Sequence, residues 1–380
     1  MKRPPIWDII GLFLITRISL IAVTYFGYIF LTQAQYSGAP VPFSTFLQAW
    51  NNWDATVYIR IAKVGYQSHT DLAFFPLFSL LIAIIGRPFG PDNYLAIGMI
   101  ISNVALLGLL FVLYQLAVDS GGELVGRRTI LYLCIFPTAF FFFSAYNESL
   151  YILLMTGSFL ALRKQYWWLA GLLGGLAAFT RNGGILLMAP YLWELWLARE
   201  QLFHSFWKLT RALLPILLIP AGLAIYAYYC WSQTGNPLYF ASIQYHWSRE
   251  FSWPWAAIWQ AFFELFWNQP FGSFFQVHVL LDLSATLGFI VLLIIGYKKL
   301  RFSYTLWATL LMLSILFSSS LLQHDPLISN QRFVLEMFPG FITLAMLSAN
   351  RPRLHEMIKW AFPILLATLS LLFVMGKWMV

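Results

Sequence analysis

Eleven apolar runs constrain this chain more than any other feature. They lie at 7–32, 94–118, 128–145, 148–162, 167–181, 184–198, 210–231, 273–296, 302–321, 331–349 and 357–376. About 20 apolar residues is the length of a helix that crosses a bilayer. Only a helix can place such a segment in hydrocarbon with its own backbone N–H and C=O groups bonded to each other. The composition agrees: 60% of residues are hydrophobic and 10% charged, where soluble domains carry about 25% charged residues. The mean hydropathy is +0.71. The expected fold class is therefore an all-α polytopic membrane protein with about 11 transmembrane helices. A further run, Ala73 to Gly86, has 14 residues and contains Pro76. At 1.5 Å per residue it covers about 21 Å against a hydrocarbon core of about 30 Å, so it is expected to be re-entrant or interfacial.

Lys and Arg set the expected sidedness, because cytoplasmic loops retain more of them than outer loops. With a cytoplasmic N-terminus and no crossing at 73–86, fifteen of the 23 cations fall on inner segments. Seven lie outside (Arg60, Lys63, Arg87, Arg181, Arg249, Arg332 and Lys377), and Arg17 lies within the first span. Counting 73–86 as a crossing would invert every later loop and move Arg127, Arg128, Arg163 and Lys164 outside. The net charge of +8 thus belongs to the inner loops and is not the footprint of a nucleic-acid binder. Inner loops are short and basic, whereas two outer loops, 33–93 and 232–272, are long. A long loop in a compact protein usually carries function.

No domain boundary, repeat or low-complexity tract breaks the pattern, so residues 1–380 are expected to form one integral-membrane domain with its chemistry facing outward. The apolar run after Met1-Lys2-Arg3 is too long for a signal-peptide core and reads as a retained first span. Cys134 and Cys230 lie in distant apolar runs and offer neither a disulfide framework nor a metal motif.

Chemistry-bearing residues concentrate in the outer segments. From Trp53 to Tyr66 the pattern is helical: Val57, Ile61 and Val64 form an apolar stripe with Tyr58 and Ala62 beside it, and Thr56, Arg60, Lys63 and Gln67 line the other side. This is an interfacial amphipathic helix. Asn51 or Asn52 is expected to cap it, with Asp54 in its first turn, where the helix dipole favours an anion. Read alone, Asp54 is explained as well by that dipole as by chemistry.

A second outward acid, Glu148, follows Tyr146 at a turn between two spans. Arg181, in Thr180-Arg181-Asn182-Gly183-Gly184, and Arg332 run against the inner bias of positive charge. With Arg60 and Lys63 they could hold a phosphate by charge-assisted hydrogen bonds; snorkelling is the competing reading. His69, His246, His278 and His324 show no ligand spacing, so no metal site is expected. Arg17 and Asp282 each lie about 15 Å into a span, and such charges tend to be paired; an Arg17–Asp282 pair is the expectation. The chain lacks an Asp-x-Asp pair for chelating a nucleotide-sugar diphosphate, a P-loop, and Ser, Cys or His motifs of nucleophilic or metal catalysis.

Trp53-Asp54-Ala55…Ile61-Ala62…Gly65-Tyr66 followed by Ala73-Phe74-Phe75-Pro76 resembles the signature of the glycosylphosphatidylinositol mannosyltransferase 2 family. Matches in the same order are Phe136-Pro137…Tyr146-x-Glu148-Ser149-Leu150, the Arg181-Asn182-Gly183 turn, Gly235-Asn236-Pro237-Leu238…Gln244…Trp247…Arg249, and Arg332-Phe333…Phe338-Pro339. The resemblance implies a C-type glycosyltransferase (GT-C) fold that takes a hexose from a polyprenyl-phosphate sugar donor and passes it to a lipid-linked or glycan acceptor on the non-cytoplasmic face. It implies Asp54 as general base and Glu148 as an assisting acid. Mannose is the family's default sugar. A lipid monophosphate has no diphosphate to mask, so no cofactor is expected and the reaction is expected to be metal-independent. Trp53, Tyr58, Tyr146 and Trp247 are candidates to stack on sugar or line a lipid groove, and Gln244 falls in the second long loop's motif.

Asn52, where relatives often carry a basic residue or His, and a chain shorter than the eukaryotic members point to a bacterial cytoplasmic membrane rather than the endoplasmic reticulum. A multi-span transporter or lipid flippase has the same hydropathy. Transporters, however, commonly show internal repeats and spans broken near the midplane, and this sequence shows no repeat.

Overall fold

A computed structural model describes residues 5–32, 38, 40–202, 204–320 and 325–378. The protein is 81% helical. Among the described residues, five helices are long and apolar enough to cross a membrane: Ile6–Thr32, Pro91–Gly121, Phe206–Thr234, Phe274–Gly296 and Pro352–Val374. A sixth crossing is formed if Asn330–Glu336 and Phe338–Ala349, bent by 82° at their junction, count as one span. Their outer surfaces are greasy: Ile15, Ile18, Phe26 and Phe30 all lie exposed on the first helix. Exposed apolar faces of this extent on successive helices fit hydrocarbon rather than water. The protein is a multi-pass membrane protein.

The other apolar runs fold as shorter pieces for local reasons. The run expected at 128–145 supplies only Glu123–Ile135. Pro137 forces Phe136 out of the helical region, to φ −56° and ψ 145°, and a 3-10 turn, Ala139–Phe142, follows. The run at 184–198 begins as 3-10 helix over Asn182–Leu187 before Met188–Leu197 becomes regular. The Pro76 run forms an 11-residue helix, Pro76–Gly86, about 16 Å long and too short to cross by itself.

Two compact units make up the chain. The first takes Met1–Gly65, Phe78–Leu150 and Leu344–Met379. In it the Ile6–Thr32, Tyr94–Gly121, Glu123–Ile135 and Pro352–Val374 helices pack on one another, and the short Asp54–Val64 helix lies against Tyr94–Gly121. Gly122, at φ 84°, ends one helix and opens the next, a left-handed stop that favours glycine. Within this unit Arg17 donates to the Cys134 carbonyl at 3.5 Å, whereas Asp282, its expected partner, belongs to the other unit and accepts there from the Gln331 amide at 2.8 Å.

The second unit takes Tyr66–Leu77 and Tyr151–Thr343. Its tightest seam joins Trp167–Thr180 to Leu218–Thr234. A Cβ on Gly171 would lie 2.1 Å from the Pro215 carbonyl oxygen, on Gly175 2.4 Å from that of Leu218, and on Gly222 2.0 Å from that of Gly175. These backbones touch because the side chains are absent, the small-residue packing that holds helices together in lipid. A two-residue antiparallel ladder, Glu250↔Ser319 and Phe251↔Ser318, ties the second long loop to the end of the Phe302–Leu316 helix.

Candidate functional site

In the first unit the Asp54 helix starts from a strained turn. Trp53 precedes it with φ 55° and ψ −123°, a conformation essentially reserved for glycine that costs on the order of 1–3 kcal/mol in a bulky residue. Neither asparagine caps the helix: Trp53 occupies the cap position and makes no side-chain capping bond. Asn52 instead donates to the Ala49 and Phe373 carbonyls, each at 2.8 Å, and so clamps the chain just before the strained residue. The Trp53 ring meets Trp378 edge-on at 5.1 Å. Asp54 is half-buried at the helix start.

The buried face of this helix differs from the expected stripe. Ala55, Tyr58, Ile59 and Ile61 are buried, while Val64 is exposed, because the helix packs through its 55/58/59 side. Tyr58 is a core residue, edge-on to Phe78 at 5.2 Å, and not a surface for stacking sugar. Arg60 and Lys63 are exposed.

Glu148 is fully buried as the first residue of Glu148–Arg163. The turn before it is anchored to the Asp54 turn. Tyr146 donates through its hydroxyl to the Asn52 carbonyl at 3.1 Å, and its own carbonyl accepts from Ser102 at 2.7 Å. Ser144 donates to the Trp50 carbonyl at 2.9 Å. Each acid therefore begins a helix, and the residues two positions ahead of each are hydrogen-bonded to one another. Beneath them Gly98 admits three neighbours at once: a Cβ there would lie 2.9 Å from Ala145 Cβ, 3.1 Å from Ile82 Cδ1 and 3.4 Å from Ile59 Cδ1. Tyr146 is itself buried against Phe141 and Phe373, so its role is to tie these turns together.

The second unit gathers the other predicted cations with residues that sequence reasoning did not select. Arg181 pairs with Glu336 at 2.7 Å, its guanidinium 5.4 Å from the Phe333 ring and 5.8 Å from the Tyr151 ring. Arg249 faces Phe333 at 4.9 Å and donates to the Ile328 carbonyl at 2.9 Å. Burial pushes Arg249 down to about 10, with Arg332 as the next cause. Arg332 is buried in the short Asn330–Phe333 helix. Gln244 turns back onto the Phe240 carbonyl at 3.4 Å, and the side chain of Trp247, like His324, falls outside the described residues.

One face of the Phe274–Gly296 helix carries His278, Asp282 and Thr286, all buried. His278 Nε2 lies 3.1 Å from Asp282 Oδ2 and 2.9 Å from Asp325 Oδ2. Among the described residues these three are the group able to present metal-ligating atoms to one point. The signal was in the sequence: His278 and Asp282 are spaced i, i+4, which places them on one helix face. It is missed when the histidines are compared only with each other.

Known proteins place these motifs. The model of the Mannosyltransferase (PIG-V) family matches residues 42–324, which take in Trp53-Asp54, Glu148 and Arg181. GPI alpha-1,6-mannosyltransferase 2 of Mus musculus is 33% identical over 145 residues, covering 36% of this chain and 29% of the relative. The Cricetulus griseus protein of the same name is 28% identical over 216 residues, covering 54% and 42%. The chain thus spans less than half the length of these curated relatives. A crystal structure of ArnT from Cupriavidus metallidurans, bound to undecaprenyl phosphate, superposes with a TM-score of 0.48 at 11% identity, over 88% of this chain and 60% of that one. With the family model spanning well over half of its residues, this chain belongs to the PIG-V mannosyltransferase family.

Proposed function

We propose that this protein is a membrane mannosyltransferase that moves a hexose from a polyprenyl-phosphate sugar to a glycan or glycolipid hydroxyl. The observation that carries the reading is the pair of acids, Asp54 and Glu148, that open two helices tied through Tyr146 and Asn52 inside the family-matching segment. A half-buried carboxylate held by a strained, clamped turn is a suitably positioned proton acceptor. Asp54 takes the proton of the acceptor hydroxyl as its oxygen attacks the anomeric carbon. The new C–O bond forms as the bond to the phosphate oxygen breaks, the electron pair leaves with the lipid phosphate, and the anomeric configuration inverts. Glu148 assists from the neighbouring turn, and exposed Arg60 and Lys63 offer positive charge to the phosphate. The donor is a monophosphate, so the step as written uses no metal.

The fold that accompanies this reading is a GT-C bundle of eleven crossings in a bacterial cytoplasmic membrane, its reaction centre on the non-cytoplasmic side. The shorter helices cross with local thinning of the bilayer and snorkelling of their flanking residues.

General-base catalysis typically contributes about 10²–10⁴ in rate. The purified protein is incubated with polyprenyl-phosphate mannose and candidate acceptors, and products are read by mass spectrometry. Asp54→Asn is expected to fold like the parent and lose at least about 100-fold in transfer. Transfer by Asp54→Asn at the parent rate would remove Asp54 as base. Failure of every lipid-linked donor, with saturable solute flux in liposomes, would favour a transporter. The same assay on Arg60→Ala, Arg181→Ala and Arg332→Ala identifies the cation that binds the donor phosphate.

A further inference from the structure

The His278, Asp282 and Asp325 side chains are arranged unlike an ordinary ion pair. Both carboxylate oxygens close on the same nitrogen, Nε2 of His278, at 3.1 and 2.9 Å. Yet Nε2 and Asp282 Oδ2 are both buried without a hydrogen-bond partner, so neither oxygen lies in line with a ring N–H. One N–H could in any case serve only one of the two oxygens well. The separations suit another occupant. Bonds of about 2.0–2.1 Å from one ion to a nitrogen and two oxygens place those atoms about 2.9 Å apart at right angles and about 3.3 Å apart in a tetrahedron. All three ligand atoms lie within 4.8 Å of one another.

Neighbouring groups hold the ligands as an ion-binding frame would require. Asp282 turns its other oxygen, Oδ1, to the Gln331 amide at 2.8 Å, leaving Oδ2 for the cluster. One turn further along the helix, Thr286 Oγ1 accepts from Asn330 at 3.0 Å while donating to the Asp282 carbonyl at 2.7 Å. The helix face 278/282/286 thus grips the segment 325–331 at three successive levels.

Charge bears on the identity of the occupant. A buried and a half-buried carboxylate with an imidazole held neutral by coordination carry two negative charges, which one divalent cation balances. Arg249 and the buried Arg332 are the competing cations. Both carboxylates act on Arg249 electrostatically, but its guanidinium is committed to the Ile328 carbonyl and the Phe333 ring. Arg332 follows Gln331, whose amide holds the other oxygen of Asp282.

We propose that His278, Asp282 and Asp325 form a binding site for a divalent transition-metal ion, Zn²⁺ by preference, that ties the Asp325–Gln331 segment to the Phe274–Gly296 helix. One imidazole and two carboxylates form a donor set suited to Zn²⁺ and, more weakly, Mn²⁺. Three protein ligands leave a fourth position for water. The role is structural, and it stands or falls separately from sugar transfer.

Full-length protein is purified in detergent, stripped with EDTA, and equilibrated with Zn²⁺ alone or Mn²⁺ alone. Bound metal is then counted by mass spectrometry after gel filtration, and unfolding temperature is recorded with and without the ion. About one Zn²⁺ per chain and a rise in unfolding temperature are expected. Asp325→Asn, at the partly exposed ligand, and His278→Gln are expected to weaken Zn²⁺ binding at least about tenfold and to abolish the rise. His69→Ala, at an exposed histidine elsewhere, is expected to change neither. Asp325→Asn guards against loss of fold in variants of the buried Asp282. No Zn²⁺ above the His278→Gln background, or a temperature unmoved by either ion, would overturn the proposal and leave an ion cluster compensated by Arg249.

Discussion

At the scale of single residues, the sequence announces the acid but not the strain beside it. Asp54 was legible because a carboxylate beside tryptophan at the head of an amphipathic segment is conspicuous in a chain that is 10% charged. The positive φ of Trp53 was not, because residue preferences point to glycine for that conformation. The capping expectation failed for a related reason: Asn52 spends both side-chain hydrogen bonds on distant carbonyls, a tertiary demand that overrides local propensity. A test follows from the strain. Trp53→Ala removes the contact with Trp378 and keeps the unfavourable φ, whereas Trp53→Gly removes the same contact and relieves it. Trp53→Gly is therefore expected to be more stable than Trp53→Ala by about 1 kcal/mol. Cys134 and Cys230 are buried, so thermal unfolding followed by their reaction with a thiol dye measures the difference. Equal stability of the two variants would show that the turn carries no strain.

Helices were legible wherever their apolar period ran uninterrupted, and their ends were not. The first, second and last long spans begin or end within a few residues of the expected positions, because hydrophobic length alone fixes them. Two runs broke short, Pro137 cutting one and the 82° bend at Met337–Phe338 folding another, while Pro363 leaves the last span unbroken. Helix-to-helix contact was hidden as well, since glycine is read from sequence as a weak helix former, although at Gly171, Gly175 and Gly222 it is the surface of contact. Gly222→Ala places a Cβ 2.0 Å from the Gly175 carbonyl oxygen, backbone against backbone with no side chain to swing away. It is expected to lower stability by about 1–3 kcal/mol. Gly288→Ala, where a Cβ meets nothing within 4 Å, is expected to be neutral or stabilising by up to about 1 kcal/mol. Unfolding temperatures of the two variants, measured side by side, check the seam; similar values would mean the helices part without cost.

At the scale of the whole molecule, the sequence offered one global quantity, the bias of positive charge, and the expected sidedness rests on it. The family match gives no orientation, and the polar clusters of the two units could be recognised only after folding brought residues as distant as His278 and Asp325 together. The orientation can be tested without the enzyme's substrates. Both native thiols are buried, so a membrane-impermeant maleimide reports only on a cysteine introduced at an exposed position. Gln67 belongs to the long first loop expected outside and Lys298 to a short basic loop expected inside, and both are exposed. If Lys and Arg govern insertion as they do in other multi-span proteins, Gln67→Cys is labelled from the non-cytoplasmic side of intact cells, and Lys298→Cys reacts only after permeabilisation. Removing the inner cations Arg127, Arg128, Arg163 and Lys164 weakens the determinant itself and is expected to produce a population with mixed labelling. Labelling of Lys298→Cys in intact cells, with Gln67→Cys protected, would turn the first long loop to the cytoplasm and with it Asp54, where lipid-linked donors presented on the outer face could not reach it.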